Sequence, residues 1–155
     1  MRDFLKNWSH KVETPSGLRQ AGAMPYAIVD GRVAFLLITS RRTGRWIFPK
    51  GAIEPSMTPW ESAALEALEE AGVSGEIATQ PIGAYRGSAG TDESVLVDID
   101  IYPLRVEVQH EKWREMDQRL RHWAVLSEAQ RLLHDAALVR LVVGLHVQLT
   151  GSLSA

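Results

Sequence analysis

The chain of 155 residues contains no cysteine. That excludes a disulfide scaffold, a cysteine nucleophile and a thiolate zinc site, and it permits a reducing cytoplasm, the expected location. An excess of charge is also missing, because seventeen Lys and Arg stand against nineteen Asp and Glu for a formal net charge of -2. Such a balance offers no bulk attraction for a nucleic-acid backbone or an anionic membrane, and neither is expected as a partner. Long hydrophobic runs are absent too. Met1 to Gln20 alternates charged and polar residues without the apolar stretch of a signal peptide. Ala136 to Leu149 is broken by Arg140, Gly144 and His146 and falls short of the roughly 20 residues that a membrane span needs.

Apolar residues make up 45% of the chain and charged ones 23%, enough for one globular domain that buries roughly 70% of its unfolded surface. With no Pro/Gly/Ser linker and no internal repeat, the expected division is an N-terminal arm over 1–18, one domain over 19–149 and a tail over 150–155. Met24 to Asp30 and Arg32 to Ser40 read as strands joined by a tight Asp30-Gly31 turn. Trp46 to Phe48 reads as a short strand, and Ile77 to Arg86 and Val95 to Val108 as longer ones. Thr58-Pro59-Trp60-Glu61 is a capping box with proline at the first helical position, and Gly72 supplies the stop. A second helix is expected from Ser127, with Gln130 completing its box, and Asp135 is expected to cap a last helix towards Leu149. Helical elements on both sides of a mixed sheet make an α/β/α sandwich.

The helix from Pro59 to Ala71 carries the chemistry. A helical wheel puts Ala64, Leu68 and Ala71 on one face, while Glu66, Glu69 and Glu70 share an arc of about 100° opposite. A solvated face is the bland reading of three glutamates. Yet from Gly51 through Tyr85 there is no Lys or Arg, while Glu54, Glu61, Glu66, Glu69, Glu70 and Glu76 all lie there. Repulsion of about 0.2 to 0.5 kcal/mol per helical pair has no local offset. Oxygen ligands without His or Cys select a hard cation, Mg²⁺ or Mn²⁺, which keeps waters and accepts phosphate oxygens.

Trp46-Ile47-Phe48-Pro49-Lys50-Gly51, then Met57, Leu65-Glu66-Ala67-Leu68-Glu69-Glu70-Ala71-Gly72-Val73, resembles the Nudix box. The family pattern is G-x5-E-x7-R-E-U-x-E-E-x-G-U, with U aliphatic. Gly51, Glu66, Glu69, Glu70, Gly72 and Val73 match in register; Met57 stands in place of the pattern's Glu and Leu65 in place of its Arg. Ser40-Arg41-Arg42-Thr43-Gly44-Arg45-Trp46 upstream and Trp113-x-Glu115-x3-Arg119-x3-Trp123 downstream are similar to the branch that hydrolyses diphosphoinositol and diadenosine polyphosphates.

The resemblance implies a Nudix-type α/β/α sandwich with an acidic catalytic helix over about 59–71, and Mg²⁺- or Mn²⁺-dependent hydrolysis of a phosphoanhydride bond in a polyphosphorylated small molecule. It implies Glu66 and Glu70 as leading metal ligands with a backbone carbonyl of Lys50 or Gly51. Glu69 leads as the base for the attacking water, although these residues alone do not divide the roles among Glu66, Glu69 and Glu70. Glu115 is a second base candidate outside the box. Arg41, Arg42, Arg45 and Lys50 cluster before the box as phosphate-binding candidates, while Trp46 reads as packing. The recurrence of His110, His122, His134 and His146 every 12 residues reads as coincidence, since that spacing brings no two onto one helical turn. Met57 and Leu65 read as an apolar staple replacing an ion pair, so that Met57→Glu would place an unpaired charge against Leu65. A domain that binds a phosphorylated ligand without turnover is the alternative. Hydrolysis at RNA 5′ ends lacks a basic stripe or aromatic platform here.

Overall fold

In the computed structural model, which describes residues 19–89 and 92–154, Asp30 and Gly31 take φ of 53° and 76°. They close a hairpin between β1 (Gln20–Val29) and β2 (Arg32–Thr39), with Val29 paired to Arg32. Two adjacent positive φ values match the right-handed twist of the flanking strands, which is why an Asp-Gly pair suits the turn. Then come β3 (Trp46–Ile47) and β4 (Lys50–Ala52), helix α1 (Pro59–Glu66) and a continuing π turn (Ala67–Ala71), followed by β5 (Val73–Ile77), β6 (Gly83–Ala89) and β7 (Asp92–Gln109). Last are β8 (Arg121–Val125), α2 (Leu126–Leu132) and α3 (Ala136–Ser154). The arm expected over 1–18 lies outside the described residues, and α3 continues past Leu149. No described helix is long and apolar enough to cross a membrane.

The sheet is mixed, in the order β3-β2-β1-β7-β5, with β4 beside β1, β6 beside β7 and β8 beside β2. β1 and β7 run parallel, and the other pairs are antiparallel. Alternation along β2 divides the core: Phe35 and Leu37 face α3 with Leu138, Val142 and Leu145, whereas Leu36 and Ile38 face α1 with Ala63, Ala67 and Ala71. Helices thus cover both faces, as the element order predicts.

Two expected elements differ. Ile77 to Arg86 is not one strand: β5 ends at Ile77 and β6 begins at Gly83, and both pair with β7 at different stretches. Pro81 lies in the break, where its missing N–H cannot serve a ladder. The Ser127 box does not form, because Val125 is the N-cap of α2 and makes no side-chain cap bond. Asp135 does cap α3, accepting from the Ala137 N–H at 2.8 Å.

The buried face of α1 is displaced from the wheel. Ala63, Ala67 and Ala71 are fully buried and Glu70 is 6% exposed, whereas Leu68 is 40% exposed. At about 100° per residue Glu70 lies within about 20° of Ala63, so packing of Ala63 and Ala67 on the sheet, in place of the expected Ala64 and Leu68, carries Glu70 inward. Both ends of the helix are set as the sequence predicts. Thr58 Oγ1 accepts from the Glu61 N–H at 3.2 Å, Glu61 Oε1 accepts from the Thr58 N–H at 2.8 Å, and Gly72 terminates at φ 69°. Thr58→Ala is expected to remove about 1 kcal/mol and lower the unfolding temperature by about 2–4 °C, measured by calorimetry. An unchanged midpoint would show that the box does not hold the helix start.

Candidate active site

Glu66 and Glu70 are brought together at the turn from α1 into the π segment, and their carboxyl groups are hydrogen-bonded to each other. Burial first, and then the bond and charge of Glu70, hold the Glu66 carboxyl far above the ordinary carboxylate range. Burial also raises Glu70, opposed by the bond from Glu66, the Arg119 charge and the Lys50 N–H. That N–H donates to Glu70 Oε1 at 3.2 Å. Gly51 lies so close to Glu66 that a Cβ there would overlap its carboxyl group, so a larger residue at this position would displace that carboxyl from the β4 loop.

Glu69 does not join this pair. It is absent from the cleft that Glu66 and Glu70 line, and its Oε2 accepts from Arg114 Nη1 at 2.7 Å. Arg114 is 73% exposed, so that ion pair contributes little to stability. The expected three-carboxylate cluster is therefore the buried Glu70, the half-buried Glu66 and an outlying third. Glu115 takes the vacated place: it lines the cleft at 15% side-chain exposure, with its Oε1 2.8 Å from Arg119 Nε and 3.7 Å from Arg41 Nε.

Glu115 arrives on the segment between β7 and β8, which binds the end of the acidic helix. The Glu69 carbonyl accepts from the Glu115 N–H at 3.1 Å, the Glu70 carbonyl from Trp113 Nε1 at 3.1 Å and the Ala71 carbonyl from Arg121 Nη1 at 3.0 Å. The Gly72 carbonyl accepts from the His110 N–H at 2.8 Å. Arg121 also stacks on Trp113, 3.8 Å from the ring centroid. Trp113 and Arg119 entered the sequence analysis only as part of the downstream segment that resembles the family branch, and Arg121 not at all; none was assigned to the site. A further signal was the absence of any local cation for the acidic helix.

The cleft encloses about 660 Å³. Arg41, Arg42 and Arg45 line it from the β2–β3 turn, Lys50 and Gly51 from β4, Glu66 and Glu70 from the helix, and Arg119 from the opposing segment. Lys50 differs from the expected open cation, because its Nζ donates to the Ser88 carbonyl at 2.8 Å and lies 3.4 Å from Gln20 Oε1. Burial lowers the pKa of this amine, against the raising pull of Glu70. Trp46 lines the cleft and also packs on the α3-side core, 5.8 Å from the His122 ring. His122 pairs with Glu128 at 2.7 Å, His110 meets Ser74 at 3.5 Å and His146 sits against Phe35, so these histidines serve separate places.

Among the described residues no three Asp, Glu or His side chains already surround one point. The buried Glu70 and half-buried Glu66, adjacent beside a glycine backbone, nevertheless fit a hard dication, with backbone oxygen and water completing an oxygen-only shell. A soft-metal site is excluded by the donor set.

The NUDIX domain profile matches residues 18–141. The chain is similar to chloroplastic Nudix hydrolase 21 of Arabidopsis thaliana, 32% identical over 126 residues that cover 78% of this chain and 63% of that one. It therefore spans less than two thirds of that plant relative. It is also similar to diphosphoinositol polyphosphate phosphohydrolase 2 of Rattus norvegicus, 30% identical over 149 residues that cover 91% of this chain and 80% of that one. Its fold is similar to that of a C. elegans Ap4A hydrolase, with a TM-score of 0.63 and 22% identity over 84% of this chain and 97% of that one.

Met57 and Leu65 hold no core position. Met57 is 37% exposed in the turn before α1, Leu65 is half-buried, and neither belongs to either core cluster. The expected penalty for a charge at position 57 depends on burial that Met57 does not have. Met57→Glu alone is therefore expected to change stability by no more than about 0.5 kcal/mol, read by thermal unfolding. A drop several times larger would restore the buried-staple reading.

Proposed function

Because the chain belongs to the NUDIX domain family, we propose that it is a divalent-metal-dependent hydrolase that cleaves a phosphoanhydride bond in a polyphosphorylated small molecule. Dinucleoside polyphosphates and diphosphoinositol polyphosphates are the substrate classes. The observation that carries this reading is a single cleft lined by an adjacent carboxylate pair, the half-buried Glu66 and the buried Glu70, and by Arg41, Arg42 and Arg45. The name of the rat relative supports the choice of substrate class.

In this reading Glu66 and Glu70 hold the ion, with the backbone of Lys50 and Gly51 beside them. A bound Mg²⁺ or Mn²⁺ lowers the pKa of water and offsets charge on bridging phosphate oxygens. Glu115 lines the cleft where Glu69 does not, so Glu115 is the carboxylate assigned to take the proton of the attacking water. Glu69 is left as the partner of Arg114. The three arginines from the β2–β3 turn receive the phosphate chain, each planar fork matching a pair of phosphate oxygens. Each such contact made in the transition state contributes about 1.5 to 3 kcal/mol, roughly ten- to a hundredfold in rate.

Met57 and Leu65, in place of the pattern's Glu and Arg, favour a second reading: a domain that binds a phosphorylated ligand without turning it over. Two acids kept adjacent against their own repulsion weigh against it, since a neutral binder gains nothing from them.

Cleavage of diadenosine tri- to hexaphosphate into two nucleotide products, separated by ion-exchange chromatography, with ADP-ribose as the short reference that yields AMP and ribose 5-phosphate, decides between the two. Turnover is expected to require Mg²⁺, to vanish on chelation and to rise in efficiency with phosphate number. Glu70→Gln is expected to lower it by at least about a hundredfold while the unfolding temperature is maintained. Tight binding of the same compounds without cleavage would support the second reading. Mg²⁺-dependent cleavage unaffected by Glu70→Gln would remove Glu70 from the metal site.

A further inference from the structure

Arg119 is the buried cation that the acidic helix lacks in its own stretch of sequence. Its side chain is 7% exposed, and it is bonded on three sides. Nε lies 2.8 Å from Glu115 Oε1, Nη1 donates to the Thr39 carbonyl at 2.9 Å, and Nη2 lies 3.5 Å from Glu70 Oε2. Thr39 is the last residue of β2, which pairs with β1, β3 and β8, so the guanidinium is fixed to the sheet and not to a loose loop. The segment around it is held independently, since the Leu120 N–H donates to Thr39 Oγ1 at 2.8 Å and the Thr39 N–H to the Leu120 carbonyl at 3.1 Å.

A planar guanidinium presents its donors in fixed directions, so an anchor on one edge fixes the direction of the others. With Nη1 on Thr39, the Nε edge can point only where Glu115 lies. Arg41 also approaches Glu115, but at 3.7 Å, from a side chain 54% exposed that donates to Gln118 as well. Of the two arginines, Arg119 is the one that can fix a direction. The edge towards Glu70 is longer and serves charge compensation, since a buried carboxylate without a nearby cation is strongly disfavoured.

We propose that Arg119 is the positioning residue for Glu115: anchored on the Thr39 carbonyl, it holds the Glu115 carboxylate over the Glu66–Glu70 pair in the orientation that accepts the proton of the attacking water. The inference rests on the hydrolytic reading above. It differs from a phosphate-binding role, because Nε, Nη1 and Nη2 of Arg119 each already face a protein oxygen in the cleft wall.

Steady-state kinetics on the diadenosine polyphosphate that the unsubstituted chain turns over best, with Arg119→Gln, Arg119→Lys, Glu115→Gln and the Arg119→Gln/Glu115→Gln double variant, tests it. Arg119→Gln is expected to lower kcat about ten- to a hundredfold with KM within about twofold. The double variant is expected to fall no further than the worse single one, because both changes remove the same aligned carboxylate. Arg119→Lys keeps the charge without the fork and is expected to recover less than about half of the loss; it carries the test if Arg119→Gln does not fold. Unfolding of the same chains without substrate is expected to give a double-variant shift smaller than the two single shifts combined. A raised KM at unchanged kcat would make Arg119 a substrate contact and overturn the proposal. So would multiplicative effects on kcat, full recovery with Lys or simply additive unfolding shifts. A wild-type chain that cleaves no member of the series into nucleotide products overturns the hydrolytic reading itself, a result separate from any pattern among the variants.

Discussion

The site depends on how one helix end is satisfied. A helix leaves its last carbonyls without partners, and they must be met from elsewhere when the end is buried. Here the carbonyls of Glu69, Glu70, Ala71 and Gly72 are met in turn by the Glu115 N–H, Trp113 Nε1, Arg121 Nη1 and the His110 N–H. Three bonds from the segment between β7 and β8, and one from Arg121 at the start of β8, dock that segment on the acidic helix. Docking is what carries Glu115 and Arg119 into the cleft, although they lie far from Glu66 and Glu70 in sequence. The chemistry and the helix terminus are therefore one construction: loosening the segment exposes the carbonyls and withdraws the third acid together.

The same geometry explains the electrostatics. Glu70 is buried and Glu66 half-buried next to it, an arrangement that favours a shared proton or a cation between them. The Lys50 N–H and Arg119 approach only Glu70 among the pair, leaving Glu66 against the Gly51 backbone. Partial compensation of this kind keeps the pair tolerable without a metal while leaving oxygen lone pairs for one. Full neutralisation by two close arginines would leave less for a dication to gain.

What the sequence made legible was local. The Asp30-Gly31 hairpin, the Thr58–Glu61 box and the Gly72 stop each depend on residues within four positions of one another, and each is present. The family pattern located Gly51, Glu66 and Glu70, because their register along the chain reflects one loop lying on one helix. What the sequence hid was non-local. Which face of the helix meets the sheet is settled by packing, and the choice of Ala63 and Ala67 buries Glu70 and exposes Leu68. Glu69 leaves the cleft for Arg114, and Lys50 turns to the Ser88 carbonyl on β6. Neither partner is near in sequence. Ser127 and Gln130 had the spacing of a capping box but lie inside a helix that begins at Leu126, since pairing of β8 with β2 through Val125 sets that start. The want of any Lys or Arg from Gly51 to Tyr85 was a visible sign that distant cations would be needed, though not which ones.

That Glu66 and Glu70 form a site for a divalent cation, braced by the segment docked on the helix end, is tested most directly by the unfolding temperature of the chain titrated with Mg²⁺, beside the Glu66→Gln/Glu70→Gln double variant. A ligand of the folded state alone adds about 2.7 kcal/mol at a hundredfold excess over its dissociation constant, which for a chain of this size is roughly 5–10 °C. The midpoint of the unsubstituted chain is expected to climb with Mg²⁺ by that order, and that of the double variant to stay level. A midpoint indifferent to Mg²⁺ in the unsubstituted chain, or an equal rise in both, would contradict it.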